Sequence, residues 1–136
     1  MRTILLTLTA VVLSVPSTWA EEKAVTAKAD VKVTITGNDQ MKYDKAEIEV
    51  EAGQTLALTF KNIGALPKAA MGHNVVILKP GSDIPKFAIG GVANKAGDYL
   101  PLDPALAALV VAKTKILGPK EEETILFKPA AAGDYP

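Results

Sequence analysis

With 136 residues, the chain allows one domain and little more. Fifteen basic and fifteen acidic residues give a formal charge of +0, so no strong field draws it to nucleic acid or anionic lipid. No cysteine occurs, which excludes a disulfide framework, a Cys nucleophile, a thiolate metal ligand and a zinc ribbon within these residues.

Residues 1–20 read as an export signal. Arg2 supplies a positive end, Ile4 to Val15 is an apolar run broken only by Thr and Ser, and Thr18-Trp19-Ala20 offers small residues around a cleavage point. That run is too short to span a bilayer, so no membrane insertion is expected once the signal is cleaved. Cleavage leaves 116 residues; losing Arg2 sets 14 basic against 15 acidic, a balance of −1. Residues 21–30 read as a flexible lead-in, and 31–136 as the folded domain.

Period-two alternation begins at Val31, Val33 and Ile35, set against Lys32, Thr34 and Thr36. Gly37-Asn38-Asp39 marks a turn. Ile48 and Val50 alternate with Glu47, Glu49 and Glu51. Leu56, Leu58 and Phe60 alternate with Thr55, Ala57, Thr59 and Lys61, and a loop then runs from Asn62 to Gly72. These are half-buried strands, the pattern of antiparallel sheets packed face to face. Val75-Val76-Ile77-Leu78 is a continuous apolar run, which suits a strand covered on both faces. Gly90-Gly91 and Gly97 break any period from Gly81 to Tyr99. Asp103-Pro104 predicts a helix start, Asp as N-cap and Pro at the first position. Strand character returns over Val111 to Leu117 and Thr124 to Lys128. The expected architecture is an all-β Greek-key sandwich of at least six strands with one short helical insertion.

Few residues carry chemistry. Ser82 has a single His in the chain to work with and no nucleophile elbow around it, so a hydrolase triad is not expected. Glu121-Glu122-Glu123 reads as a solvated bend. His73 follows a Gly and opens the most apolar strand. Its spacing leaves two readings open: a satisfied histidine at a strand start, or an imidazole ligand held rigidly there.

Three segments, Gly37-Asn38-Asp39-Gln40-Met41 with Tyr43, Asn62-Ile63-Gly64-Ala65-Leu66-Pro67-Lys68 and Met71-Gly72-His73-Asn74-Val75-Val76, closely resemble the azurin branch of the cupredoxins in order and spacing. Ala112 to Gly118 and Glu123 to Phe127 resemble that family's two strands after its helical insertion. The resemblance covers about residues 31–135. It implies an exported one-electron carrier with a mononuclear type 1 copper, and no enzyme activity. His73 would ligate copper through a ring nitrogen and the Gly72 carbonyl would lie near the metal. Asn74 would tie the two ligand loops together by hydrogen bonds. Met41, Leu66, Pro67 and Met71 would stand in an apolar patch that docks redox partners such as a cytochrome c.

The family's remaining ligands, a Cys, a second His and an axial Met, follow a strand opened by a Gly-x-Tyr segment. Gly133-Asp134-Tyr135-Pro136 resembles that opening, after which these residues end. The chain therefore reads as an N-terminal fragment lacking three ligands and the strand that closes the sheet. Such a fragment is expected to be marginally stable, with an unpaired strand edge. Two other readings stay open: a copper-free sandwich used for binding or assembly, and a copper chaperone using His73 with Met41 and Met71.

Overall fold

The computed structural model describes residues 29–136. The export signal and nearly all of the lead-in lie outside the described residues. Three strands form the first sheet: β1 (Val31–Gly37), β2 (Leu56–Asn62) and β5 (Glu122–Phe127), in the order β1-β2-β5. The second holds β3 (Val76–Leu78) and β4 (Val110–Lys113). The all-β sandwich read from the alternation is present, with five strands among the described residues rather than the six or more expected.

Central placement explains β2. It is flanked on both edges, and Leu56, Ala57, Leu58, Phe60 and Asn62 are all buried. Its solvent side is stitched to β5 by a Thr59–Thr124 hydroxyl contact at 2.8 Å and a Lys61–Glu122 ion pair at 3.0 Å. The pairs stand directly opposite each other in the ladder, where cross-strand contacts stabilise a sheet. Ile35, Leu56, Leu58, Phe60, Leu117 and Phe127 form the core. Val75, Ile77 and Ala112 close over it from the second sheet.

Several expectations need correction. β1 and β2 run parallel, from Val31 beside Leu56 to Gly37 beside Asn62, so the first sheet is mixed rather than antiparallel. The chain must return from Gly37 to the start of β2 before running the same way, and residues 38–55 make that return. The expected Ile48–Val50 strand belongs to the return. Its two apolar side chains pack on the core, but it pairs with no strand among the described residues. The run Val75–Leu78 is shorter and less covered than expected, with only Val76–Leu78 in a ladder and only Leu78 buried.

The single helical insertion is richer than the sequence suggested. Helix α2 (Ile84–Gly91) occupies the stretch where no period was found. Asp83 caps it, accepting from Lys86 N–H at 2.9 Å, with Pro85 in the first turn. A 3₁₀ turn (Lys95–Gly97) and helix α3 (Pro104–Ala107) follow. Asp103 caps α3 as expected, accepting from Ala105 N–H at 2.8 Å, yet one turn later the chain is already in β4. Another single turn, α1 (Lys68–Met71), lies inside the loop read from Asn62 to Gly72. No helix among the described residues is long and apolar enough to cross a membrane.

Candidate metal centre

Three consecutive residues ahead of β3 are tied to different parts of the fold. His73 N–H donates to the Leu117 carbonyl at 3.1 Å, and the His73 carbonyl accepts from Leu117 N–H at 2.7 Å. The Asn74 carbonyl accepts from the Tyr43 hydroxyl at 2.8 Å. Val75 N–H donates to the buried Thr114 hydroxyl at 2.9 Å, and the Val75 carbonyl accepts from Thr114 N–H at 2.9 Å. A strand start held this way fixes the direction in which the His73 side chain leaves the backbone.

The ring lies against the end of β1. A Cβ on Gly37 would sit 3.0 Å from Phe60 Cζ and 3.8 Å from His73 Cδ2, so the missing side chain gives the Phe60 ring its room, with His73 at ordinary contact distance. His73 Nε2 is buried without a hydrogen-bond partner. Leaving a buried polar atom unpaired costs on the order of 1–3 kcal/mol, and no group among the described residues offsets that cost here. Gly72 is constrained by space, since its φ of −72° is ordinary. A Cβ there would come within 2.5 Å of Ile116 Cγ2 and 2.7 Å of the Lys68 carbonyl.

Sequence reasoning assigned Asn74 a role in joining loops, and the structure holds it through its carbonyl rather than by a side-chain bond. The four patch residues fall on two neighbouring loops. Met41 is 77% exposed and takes a left-handed φ of 56°, rare for an unbranched side chain outside turns. Leu66 is exposed, Pro67 is the N-cap of α1, and Met71 at its other end is half-buried. Asp39 fastens one loop to the other, accepting from Ala65 N–H at 2.8 Å and reaching Leu66 N–H at 3.5 Å. Exposed Ile63 joins this rim.

The acidic run is more than a solvated bend. Glu121 accepts from Gly118 N–H at 2.7 Å and faces Lys68 Nζ at 3.3 Å. The backbone N–H foremost, then the ammonium, hold its carboxyl below the usual carboxylate range. Glu123 accepts from Lys115 N–H at 2.6 Å. Both brace the 115–121 segment that carries Leu117.

Sequence reasoning missed Thr114, and noted Asp39 only as part of a turn, Asn62 only at the head of a loop and Tyr43 only as an aromatic. One signal could have found Asn62. It continues the inward series Leu56, Leu58, Phe60, so a polar side chain was due to enter the core.

Tyr43 gives a direct test of the tethering. Its ring meets Phe60 edge-on at 5.9 Å, and burial pushes its phenol above the ordinary tyrosine value. Tyr43→Phe should cost about 1 kcal/mol through the lost bond to Asn74. A raised folded value means the protonated phenol stabilises fully below about pH 10 and loses that contribution as pH rises through the folded value. Urea titrations between pH 8 and 11 should show an alkaline loss of stability in the parent that is smaller in the Phe variant. An identical alkaline slope in both would contradict the assignment.

As a copper ligand set the chain is incomplete. His73 fits one position, with a rigid backbone and an orphaned ring nitrogen. A type 1 site also needs a thiolate and a second imidazole, and these 136 residues contain no Cys and one His. No group of three or more His, Cys, Asp or Glu able to hold a metal occurs among the described residues.

A two-sheet sandwich that pins one imidazole at a strand start beneath paired loops with an apolar rim is a cupredoxin. The profile of the copper-binding proteins of the plastocyanin/azurin family matches residues 29–136, and the chain belongs to that family. It is similar to outer membrane protein H.8 of Neisseria gonorrhoeae, 39% identical over 105 residues, covering 75% of this chain and 55% of that protein. The chain thus spans about half the length of its H.8 relatives. Azurin of Pseudomonas fluorescens biotype A is 35% identical over 118 residues, covering 79% of this chain and 84% of that one. Dithionite-reduced auracyanin of the photosynthetic bacterium Roseiflexus castenholzii superimposes with a TM-score of 0.66 at 36% identity, over 79% of this chain and 82% of the other.

Proposed function

We propose that the chain is the N-terminal part of an exported, non-enzymatic electron carrier whose single type 1 copper is held by His73 together with Cys, His and Met donors encoded after Pro136. The observation that carries this is His73 Nε2: buried, unpartnered and on a pinned strand start, in a member of a copper-binding family. Gly72 would bring its carbonyl near the metal, the role the likeness to azurins implies for it. Asn74 would join the ligand loops. The rim of Met41, Leu66, Pro67 and Met71 would dock a redox protein such as a cytochrome c, apolar surface letting partners meet and part quickly.

A groove of about 700 Å³ leaves room for a further strand. It runs between the Ile48–Val50 segment and the free edge of β3, floored by Leu56, Leu58 and Ile77. Gly133 lies against Pro80, and Leu78 N–H donates to the Pro136 carbonyl at 2.7 Å. The last residues therefore run antiparallel to β3. A strand continuing that way would draw level with His73 about five residues on.

Reading the coding DNA past Pro136 tests the proposal. Cys, His and Met codons within a short span, in that order, are expected. A continuous frame without a Cys codon would end the copper reading.

A further inference from the structure

Asn62 ends β2 with its side chain fully buried. All four of its polar functions are used. Its N–H donates to the Glu121 carbonyl at 3.0 Å and its carbonyl accepts from Lys120 N–H at 2.9 Å. Side-chain Oδ1 accepts from Gly64 N–H at 2.8 Å, closing a turn at the head of the 63–66 loop. Side-chain Nδ2 donates to the Leu117 carbonyl at 3.0 Å.

That Leu117 carbonyl is the atom His73 N–H donates to. A carbonyl oxygen has two lone pairs, and here one serves the Asn62 amide and the other the His73 backbone. We infer that Asn62 is the positioning residue for the His73 imidazole, acting through the shared Leu117 carbonyl, an inference that deepens the copper reading above and rests on it for its purpose.

Two features make this more than general packing. Leu117 and His73 exchange both backbone hydrogen bonds in an isolated bridge outside any named strand. The nearest backbone bond between the two segments among the described residues, Thr114 N–H to the Val75 carbonyl, lies three residues back from Leu117, so the Asn62 amide is the restraint placed on the Leu117 carbonyl itself. The Asn62 side chain also joins two segments directly, the loop beside the Met41–Leu66 rim and the 117–121 turn, and meets the strand start at His73 through the Leu117 carbonyl. An apolar side chain of equal size would fill the space and leave the Leu117 carbonyl free to rotate away.

Asn62→Asp separates the two side-chain bonds, because it keeps an acceptor for Gly64 N–H and replaces the donor facing Leu117. Asn62→Leu removes both. In the full 136-residue chain, NMR of each variant at neutral pH should show His73 N–H exchanging at least ten-fold faster than in the parent. The His73 Cδ2–H resonance should move toward its random-coil position. Amides of β1 and β5 should keep their protection. A uniform loss of protection across all strands, with no excess at His73, would overturn the inference, since it would mark Asn62 as a stabiliser only. Should neither variant fold, the parent decides. One Asn62 side-chain amide proton should exchange at least ten-fold slower than an exposed Asn side chain, and free exchange of both would overturn the inference. None of these readouts uses copper, so a frame without downstream ligands would defeat the copper reading and leave this result standing.

Discussion

Titrated with Cu(II), the 136-residue chain should stay free of the intense visible band of a copper–thiolate bond at every metal ratio. The band comes from charge transfer between sulfur and metal, and the chain has no cysteine to provide the sulfur. Binding through His73 alone should be weak and unselective, because a lone imidazole offers one bond where a trigonal set offers three. His73→Ala should then remove most of what binding there is. Extending the chain through the following codons should restore the band, with an intensity that His73→Ala abolishes. A blue colour in the unextended protein would refute the whole account of the ligand set, and retained colour in the extended His73→Ala protein would refute the role of this histidine.

How much of this was legible beforehand depends on how local each signal is. The alternation at Val31–Ile35 and Leu56–Phe60 was readable because side chains alternate faces along any strand, whatever it pairs with. Strand direction was not readable: the same residues alternate identically in a parallel or antiparallel ladder, and β1 and β2 turned out parallel. Ile48 and Val50 show the converse. Their alternation reports one dry face, which the core supplies, but a strand assignment also needs a backbone partner, and none is present among the described residues. α2 was hidden by its two terminal glycines, although Asp83 and Pro85 mark its start as plainly as Asp103 and Pro104 mark α3. At the site, contiguous residues were found and distant ones were missed. Gly72, His73 and Asn74 stand together in sequence, whereas Asn62, Thr114 and Leu117 reach them only through long-range hydrogen bonds.

Phe60→Ala should lower stability by about 3–5 kcal/mol, a large share of the roughly 5–15 kcal/mol that holds a domain of this kind together. Phe60 is 0% exposed in the central strand, with Leu58 and Ile35 beside it in the core. Its ring also supports the site, edge-on to Tyr43 at 5.9 Å and in the space that Gly37 leaves open at the end of β1. Removing the ring opens a cavity beside the Tyr43–Asn74 tether, and neighbours pinned by their own hydrogen bonds cannot fully collapse into it. Lys61→Ala is the matched control, one residue along on the solvent face. It breaks only the exposed Lys61–Glu122 pair and should cost no more than about 1 kcal/mol. Denaturant titrations of the two variants should differ accordingly. Equal losses would mean that β2 is not enclosed by a second layer, and the pinned strand start at His73 would then have no rigid floor to stand on.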